Sequence, residues 1–179
     1  SAALAKGSIS FDMPPTLQYG RVKAISVQDI MVKEIVERNS WKRPIYFAVT
    51  VSDDAKIGAH DYLGLEGLAH RLVPQKKTGT ANVEYLNEPI MRANYLEDFS
   101  EPSKTYKPGF RFRGMDDRGI FYNENEVRLS QSYRYAFMRL AFHYLTEEGK
   151  KDLCVKTLDR METVLPREVV AMDNRLVFD

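Results

Sequence analysis

The last third of the sequence constrains the fold most. From Glu124 to Glu148 the apolar positions Leu129, Tyr133, Phe137, Leu140, Ala141 and Tyr144 step by three and four residues, the spacing that gathers side chains on one face of an α-helix. Gly149 follows where a residue just past a helix end is expected. Lys150 to Leu165 repeat the pattern with Cys154, Leu158, Met161 and Leu165, and Pro166 stops it. Two antiparallel helices joined by a glycine turn make an αα-hairpin. Such a hairpin cannot cover its own apolar faces, so it must pack on the rest of the chain or on further hairpins.

Upstream the pattern mixes periods. Residues 1–24 read as an irregular lead-in with at most a short strand at Ile9–Phe11. Ser26-Val27-Gln28-Asp29 fits a capping box, and Val27, Ile30, Met31 and Ile35 predict a helix to about Arg38 with these residues on its apolar face. Pro44–Val51 is nearly continuous in β-branched and aromatic residues, as suits a strand covered on both faces, and makes Trp41 and Tyr46 expected core aromatics. Asp61 is placed to cap a short helix from Tyr62 to Leu72, with Leu65, Leu68 and Leu72 on one side and Pro74 ending it. Val83–Phe99 allows a helix if Pro89 sits in its first turn. Ser100–Gly119 is loop-like, with room for a strand at Phe110–Arg113.

Composition excludes several classes. Of 179 residues 44% are hydrophobic and 28% charged, with 26 basic against 25 acidic side chains. That balance gives no general pull toward nucleic acid or anionic lipid. Cys154 is the only cysteine, so an internal disulfide framework and a cysteine-based zinc site are both excluded. No apolar run approaches the ~20 residues that span a bilayer, so direct membrane insertion by this stretch is not expected. A start at Ser1, without a signal peptide, and an abrupt stop at Asp179 suggest a piece of a longer protein.

Motifs that carry chemistry are few. Phosphate-binding glycine loops, H-E-x-x-H and G-x-S-x-G are absent from the sequence, and no catalytic residue, metal site or cofactor is assigned. Glu66 and His70, four apart on the expected short helix, read as an i,i+4 contact, or as a metal or proton-transfer pair. Asp53-Asp54 and Asp116-Asp117 read as general acid–base or cation-binding pairs, or as turn residues, since Asp in turns bonds to local backbone. Arg43, Glu66 and Arg71 suggest an ion network that fixes strand–helix geometry or holds an anionic ligand. Tyr106, Phe110, Arg111 and Arg113 interleave aromatic and basic side chains. They form a contact surface for sugar or peptide, or pack inward with the arginines in water.

Two segments carry a resemblance. Asn39-Ser40-Trp41-Lys42-Arg43-Pro44-Ile45-Tyr46-Phe47-Ala48, followed by Tyr62-Leu63-Gly64-Leu65-Glu66-Gly67-Leu68-Ala69-His70-Arg71-Leu72-Val73-Pro74, resembles the C-terminal soluble region of a large family of multi-pass membrane proteins. That family is common in Bacteroidetes and is related to the eukaryotic luminal protein O-mannosyltransferases, within the C-class glycosyltransferases. The tail Tyr133-Arg134, Phe137, Leu140-Ala141, Gly149 and Pro166 is similar too, and its spacing resembles one tetratricopeptide repeat with an extra turn residue. The family's catalytic acid lies in its membrane domain, so none is carried over to this chain.

The resemblance implies a periplasmic domain at the inner membrane, part of a larger membrane protein. Its partners would be its own membrane domain and an acceptor polypeptide, with no nucleic acid. The expected fold is α+β: a small strand-centred layer with flanking helices over residues 25–122, followed by a tetratricopeptide-like αα-hairpin over 123–179. The expected function is an accessory domain of a membrane-embedded protein O-glycosyltransferase. The alternative is a free-standing tetratricopeptide-like interaction module without catalysis.

Overall fold

The computed structural model describes residues 9–74, 76, 85–97 and 107–172. The chain folds as two compact units that divide between Tyr85 and Leu86, inside the stretch expected to form one α/β portion.

In the first unit, residues 9–15 form an extended arm rather than the expected strand at Ile9–Phe11. Its alternate side chains Ile9, Phe11 and Met13 pack on the core, and Pro14 and Pro15 lack the N–H groups that would continue a ladder. Strands β1 (Leu17–Tyr19) and β2 (Val22–Ala24) then form an antiparallel hairpin around Gly20.

Helix α1 spans Val27–Asn39. The Ser26 hydroxyl oxygen accepts from the Asp29 N–H at 3.2 Å, as a capping box requires. The reciprocal half is taken by another residue: the Ser26 N–H donates to Thr16 Oγ1 at 3.1 Å. Asp29 Oδ2 instead accepts from both hydroxyls, Ser26 and Thr16, at 2.5 Å each. These bonds tie the base of the hairpin to the helix start and hold the buried Asp29 carboxyl below its usual range.

The apolar face of α1 is not the expected one. Val32 and Val36 pack on the core, while Val27, Ile30, Met31 and Ile35 are exposed. The helix carries apolar residues around most of its circumference, so periodicity alone does not choose the buried stripe.

After α1, Asn39 brackets a tight turn. Its side chain donates to the Arg43 carbonyl at 2.7 Å and accepts from the Arg43 N–H at 3.2 Å. Ser40 and Trp41 between them take left-handed backbone angles, which folds the Trp41 ring back onto the core.

The sheet of this unit has four short strands: β3 (Tyr46–Ala48), β4 (Leu63–Leu65), β5 (Ala69–Leu72) and β6 (Tyr85–Leu86), in the order β3-β5-β4-β6. The long doubly covered strand expected at Pro44–Val51 is thus a three-residue edge strand with Phe47 inward and Tyr46 and Ala48 outward. Pro44 cannot donate to a ladder, and a turn closes at once where the Val51 N–H donates to the Ala48 carbonyl. Tyr46 is 48% exposed, so it is not a core aromatic.

The expected helix at Tyr62–Leu72 is also overturned. Its residues form one single-turn 3-10 helix ending at Tyr62, then the β4–β5 hairpin. Gly67 at the turn has φ 79°, and two glycines within eleven residues disfavour a helix by about 1 kcal/mol each. Phe47, Ile57, Ala59, Leu63 and Leu72 form the core beneath one face of the sheet.

The second unit is helical. α2 (Glu88–Tyr95) carries Pro89 in its first turn, as expected. α3 (Glu124–Thr146) begins with a complete capping box between Asn123 and Glu126. α4 (Lys151–Val164) packs antiparallel on α3 across Gly149 as an αα-hairpin. The class is therefore α+β.

Phe137, Leu140, Ala141 and Tyr144 face the core as expected, but Leu129 and Leu158 do not. Arg134 is fully buried in the place an apolar residue would take. It donates to the carbonyls of Leu165 at 3.1 Å and Val170 at 2.6 Å. No helix among the described residues is long and apolar enough to cross a membrane.

Candidate functional site

The strand register places several polar and aromatic groups on the open face of the sheet. Tyr46 pairs with Arg71, and Arg71 with Gly64, so these three stand in one cross-strand row. In antiparallel sheet a whole row points to one side. Tyr85 reaches the same row from β6: a Cβ built on Gly64 would lie 2.8 Å from its ring. Glycine at 64 is therefore what lets the Tyr85 ring lie down on the sheet. Ala48 pairs with Ala69 on the same face and keeps its floor low.

Glu66 follows β4 in the tight turn closed by its own N–H to the Ala69 carbonyl, at 2.8 Å. Its side chain is only 6% exposed. Glu66 Oε2 accepts from the Tyr46 hydroxyl at 3.3 Å, and Glu66 Oε1 lies 3.7 Å from Arg71 Nη1. Partial burial, then the Glu66 charge, raise the Tyr46 phenol above its ordinary value, with Arg71 opposing.

The 3.7 Å approach is an ion pair but not a hydrogen bond. Among the described residues the Arg71 guanidinium makes no hydrogen bond, although it has five donors in a planar fork. Its side chain is 31% exposed. The face thus offers a nearly buried acceptor, a fork of available donors and two rings, Tyr46 and Tyr85, of which 48% and 38% are exposed.

The expected trio is gathered in part. Glu66 and Arg71 meet, and Tyr46 joins them. Arg43 is exposed, is held through its backbone by Asn39, and makes no ion pair among the described residues. Glu66 and His70 are not i,i+4 neighbours on a helix, since the segment forms strands. His70 stands in the Phe47–His70–Leu65 row, buried on the opposite side from Arg71.

Of the aromatic–basic stretch, Tyr106 lies outside the described residues. Phe110 and Phe112 turn inward. Phe110 stacks edge-on with Tyr95 at 5.1 Å and Tyr133 at 5.2 Å, and Phe112 lies 5.5 Å from Phe137, while Arg111 and Arg113 are exposed.

Asp53 is engaged by Lys56 at 2.7 Å and lies 3.9 Å from His60; the Lys56 hydrogen bond holds its carboxyl below the usual range. Asp117 Oδ1 accepts from the Gly119 N–H at 2.8 Å, a local turn bond. No three His, Cys, Asp or Glu side chains among the described residues are grouped to hold a metal ion. A groove of about 330 Å³ lies between the arm and α1, with Phe11, Val36, Trp41 and Leu72 in its wall and the Lys33–Glu37 pair at 2.6 Å on its rim.

What was missed is Tyr85 and the role of Gly64. The available signal was a glycine between two leucines at period two, which marks a close approach within a strand.

Comparison with known proteins gives one match. The family described as TMEM260-associated domain 2 matches residues 9–90. The match spans the arm, α1 and the sheet of the first unit and ends before the α3–α4 hairpin. No curated protein and no solved structure matches the chain. The first unit is therefore similar to a TMEM260-associated domain, consistent with a TMEM260-related protein family.

Proposed function

We propose that this chain is an extracytoplasmic accessory domain of a membrane-embedded protein O-glycosyltransferase. It acts on the periplasmic side, where it positions acceptor protein and supports the membrane domain. The observation that carries the reading is the match of residues 9–90 to a TMEM260-associated domain, a stretch that coincides with a folded unit keeping one polar, aromatic sheet face open. Exposed side chains joined in a network on rigid strands are more economically explained by recognition than by packing. The fragment itself carries no assigned catalytic group; bond formation belongs to the membrane domain.

A second reading, a free-standing protein-interaction module, draws support from the α3–α4 hairpin, whose Leu129, Phe142, Leu145, Val155 and Leu158 remain exposed. Deleting the codons for residues 9–90 from the parent gene separates the two. The first reading expects O-glycans to fall on exported proteins, by mass spectrometry, with the truncated parent still present in the membrane. Unchanged glycan occupancy at normal parent levels would contradict it and favour the interaction module.

A further inference from the structure

We propose that the open face of the β3-β5-β4-β6 sheet is a carbohydrate-binding platform for a neutral oligosaccharide. Tyr46, Arg71 and Gly64 stand in one row, and the Tyr85 ring lies over Gly64. Across three inter-strand steps of roughly 4.8 Å, the two tyrosines stand about 14 Å apart at their Cα atoms. That span suits two or three pyranose rings laid along the row. Arg71 stands between them in the row, and beside that row the Ala48–Ala69 pair puts little bulk above the floor.

The chemistry fits hydroxyls better than charge. A sugar presents neighbouring hydroxyls that both donate and accept, on a ring whose C–H faces are apolar. Arg71 supplies donors in a plane, and the Glu66 carboxylate beside it holds the Tyr46 hydroxyl and faces the guanidinium. Tyr46 and Tyr85 supply partly exposed rings that can cover C–H faces. A free phosphate or carboxylate would also meet Arg71, but it would meet the Glu66 carboxylate as well, since Glu66 Oε1 is only 3.7 Å from Arg71 Nη1. The paired charges leave the platform close to neutral. An extended peptide would find a floor with little apolar relief for its side chains.

The same geometry gives Gly64 a job beyond the turn economy of a strand. Any side chain there would meet the Tyr85 ring at 2.8 Å and lift it from the row. Gly64→Ala is therefore a positioning variant: it removes no ligand-contacting group but moves one of the two rings.

The inference concerns this chain's own binding and stands whether or not the parent is a transferase. The test is the intact 179-residue chain on an array of neutral and acidic oligosaccharides, with isothermal titration of the best neutral hit. The expected result is binding to neutral glycans that falls at least tenfold in Tyr46→Ala, Tyr85→Ala and Arg71→Lys. Arg71→Lys keeps the charge but loses the fork. Gly64→Ala should weaken binding more for longer oligosaccharides than for monosaccharides. Thermal melting of Arg71→Lys should match the parent chain, which separates lost binding from lost folding. Binding to acidic glycans only, no binding to the array, or neutral binding untouched by Arg71→Lys would each overturn the proposal.

Discussion

Arg134 offers a sharp test of how the helical unit is held together. Its guanidinium, contributed by α3, reaches the C-terminal end of α4 and donates to the Leu165 carbonyl at 3.1 Å and the Val170 carbonyl at 2.6 Å. α4 has no basic residue in its own last turn, so Arg134 supplies the cation that a helix C-terminus favours. The side chain is fully buried, and burial pulls its pKa below the ordinary value, with Glu162 opposing; the group still stays charged at neutral pH.

Two hydrogen bonds from a charged donor contribute about 1.5–3 kcal/mol each. The desolvation of the guanidinium, several kcal/mol, offsets part of that gain. Arg134→Met removes both terms and fills most of the volume, but leaves two buried carbonyls without donors at about 1–3 kcal/mol each. The expected loss is thus about 2–6 kcal/mol for Arg134→Met, and about 1–2 kcal/mol more for Arg134→Ala, which also opens a cavity. Urea denaturation followed by circular dichroism reads both as a lower midpoint at unchanged slope. A stability loss below about 0.5 kcal/mol in Arg134→Met, or a gain, would show that the bonds hold nothing and refute the reasoning.

Three further outcomes follow from the structure. Gly58 has φ 82°, and a Cβ there would lie 2.3 Å from the Asp12 carbonyl oxygen, so Gly58→Ala should cost about 2 kcal/mol or more and expose the N-terminal arm to limited proteolysis. Tyr95 is fully buried and its hydroxyl has no partner among the described residues; Tyr95→Phe should raise stability by about 1 kcal/mol, read from the same urea curves. Asp29 is held low by the Ser26 and Thr16 hydroxyls. A depressed folded-state pKa gives stability that is present above the unfolded value near 3.8 and lost as pH falls through the folded value. Asp29→Asn should therefore lower the melting temperature at pH 7, and its deficit should shrink as pH drops below 4.

Much of the fold is legible where local chemistry is unambiguous. Ser26 and Asp29 announce the start of α1, Pro89 marks the first turn of α2, and the three-and-four spacing with Gly149 outlines the α3–α4 hairpin. The misreadings have physical causes. Leu65, Leu68 and Leu72 satisfy helical spacing as well as the alternation Leu63, Leu65 and His70, Leu72, and Gly64 with Gly67 should have tipped the balance toward strands.

In α1 the residues Val27, Ile30, Met31 and Ile35 make the more continuous stripe, yet Val32 and Val36 are the pair that packs on the core, a choice made by tertiary packing. Arg134 reads as a surface charge from any local window, because its partners Leu165 and Val170 lie 31 and 36 residues away. The site shows the same division. Glu66 and Arg71 are close enough in sequence to suggest their pairing, whereas Tyr46 and Tyr85 arrive only through strand register.

The most direct measurement is fractionation of the source cells, probed with an antibody against this domain. A band well above 20.6 kDa that survives alkali washing of the membranes is the result expected for an accessory domain of a membrane-embedded transferase. A band near 20.6 kDa in the alkali-released fraction would contradict that account.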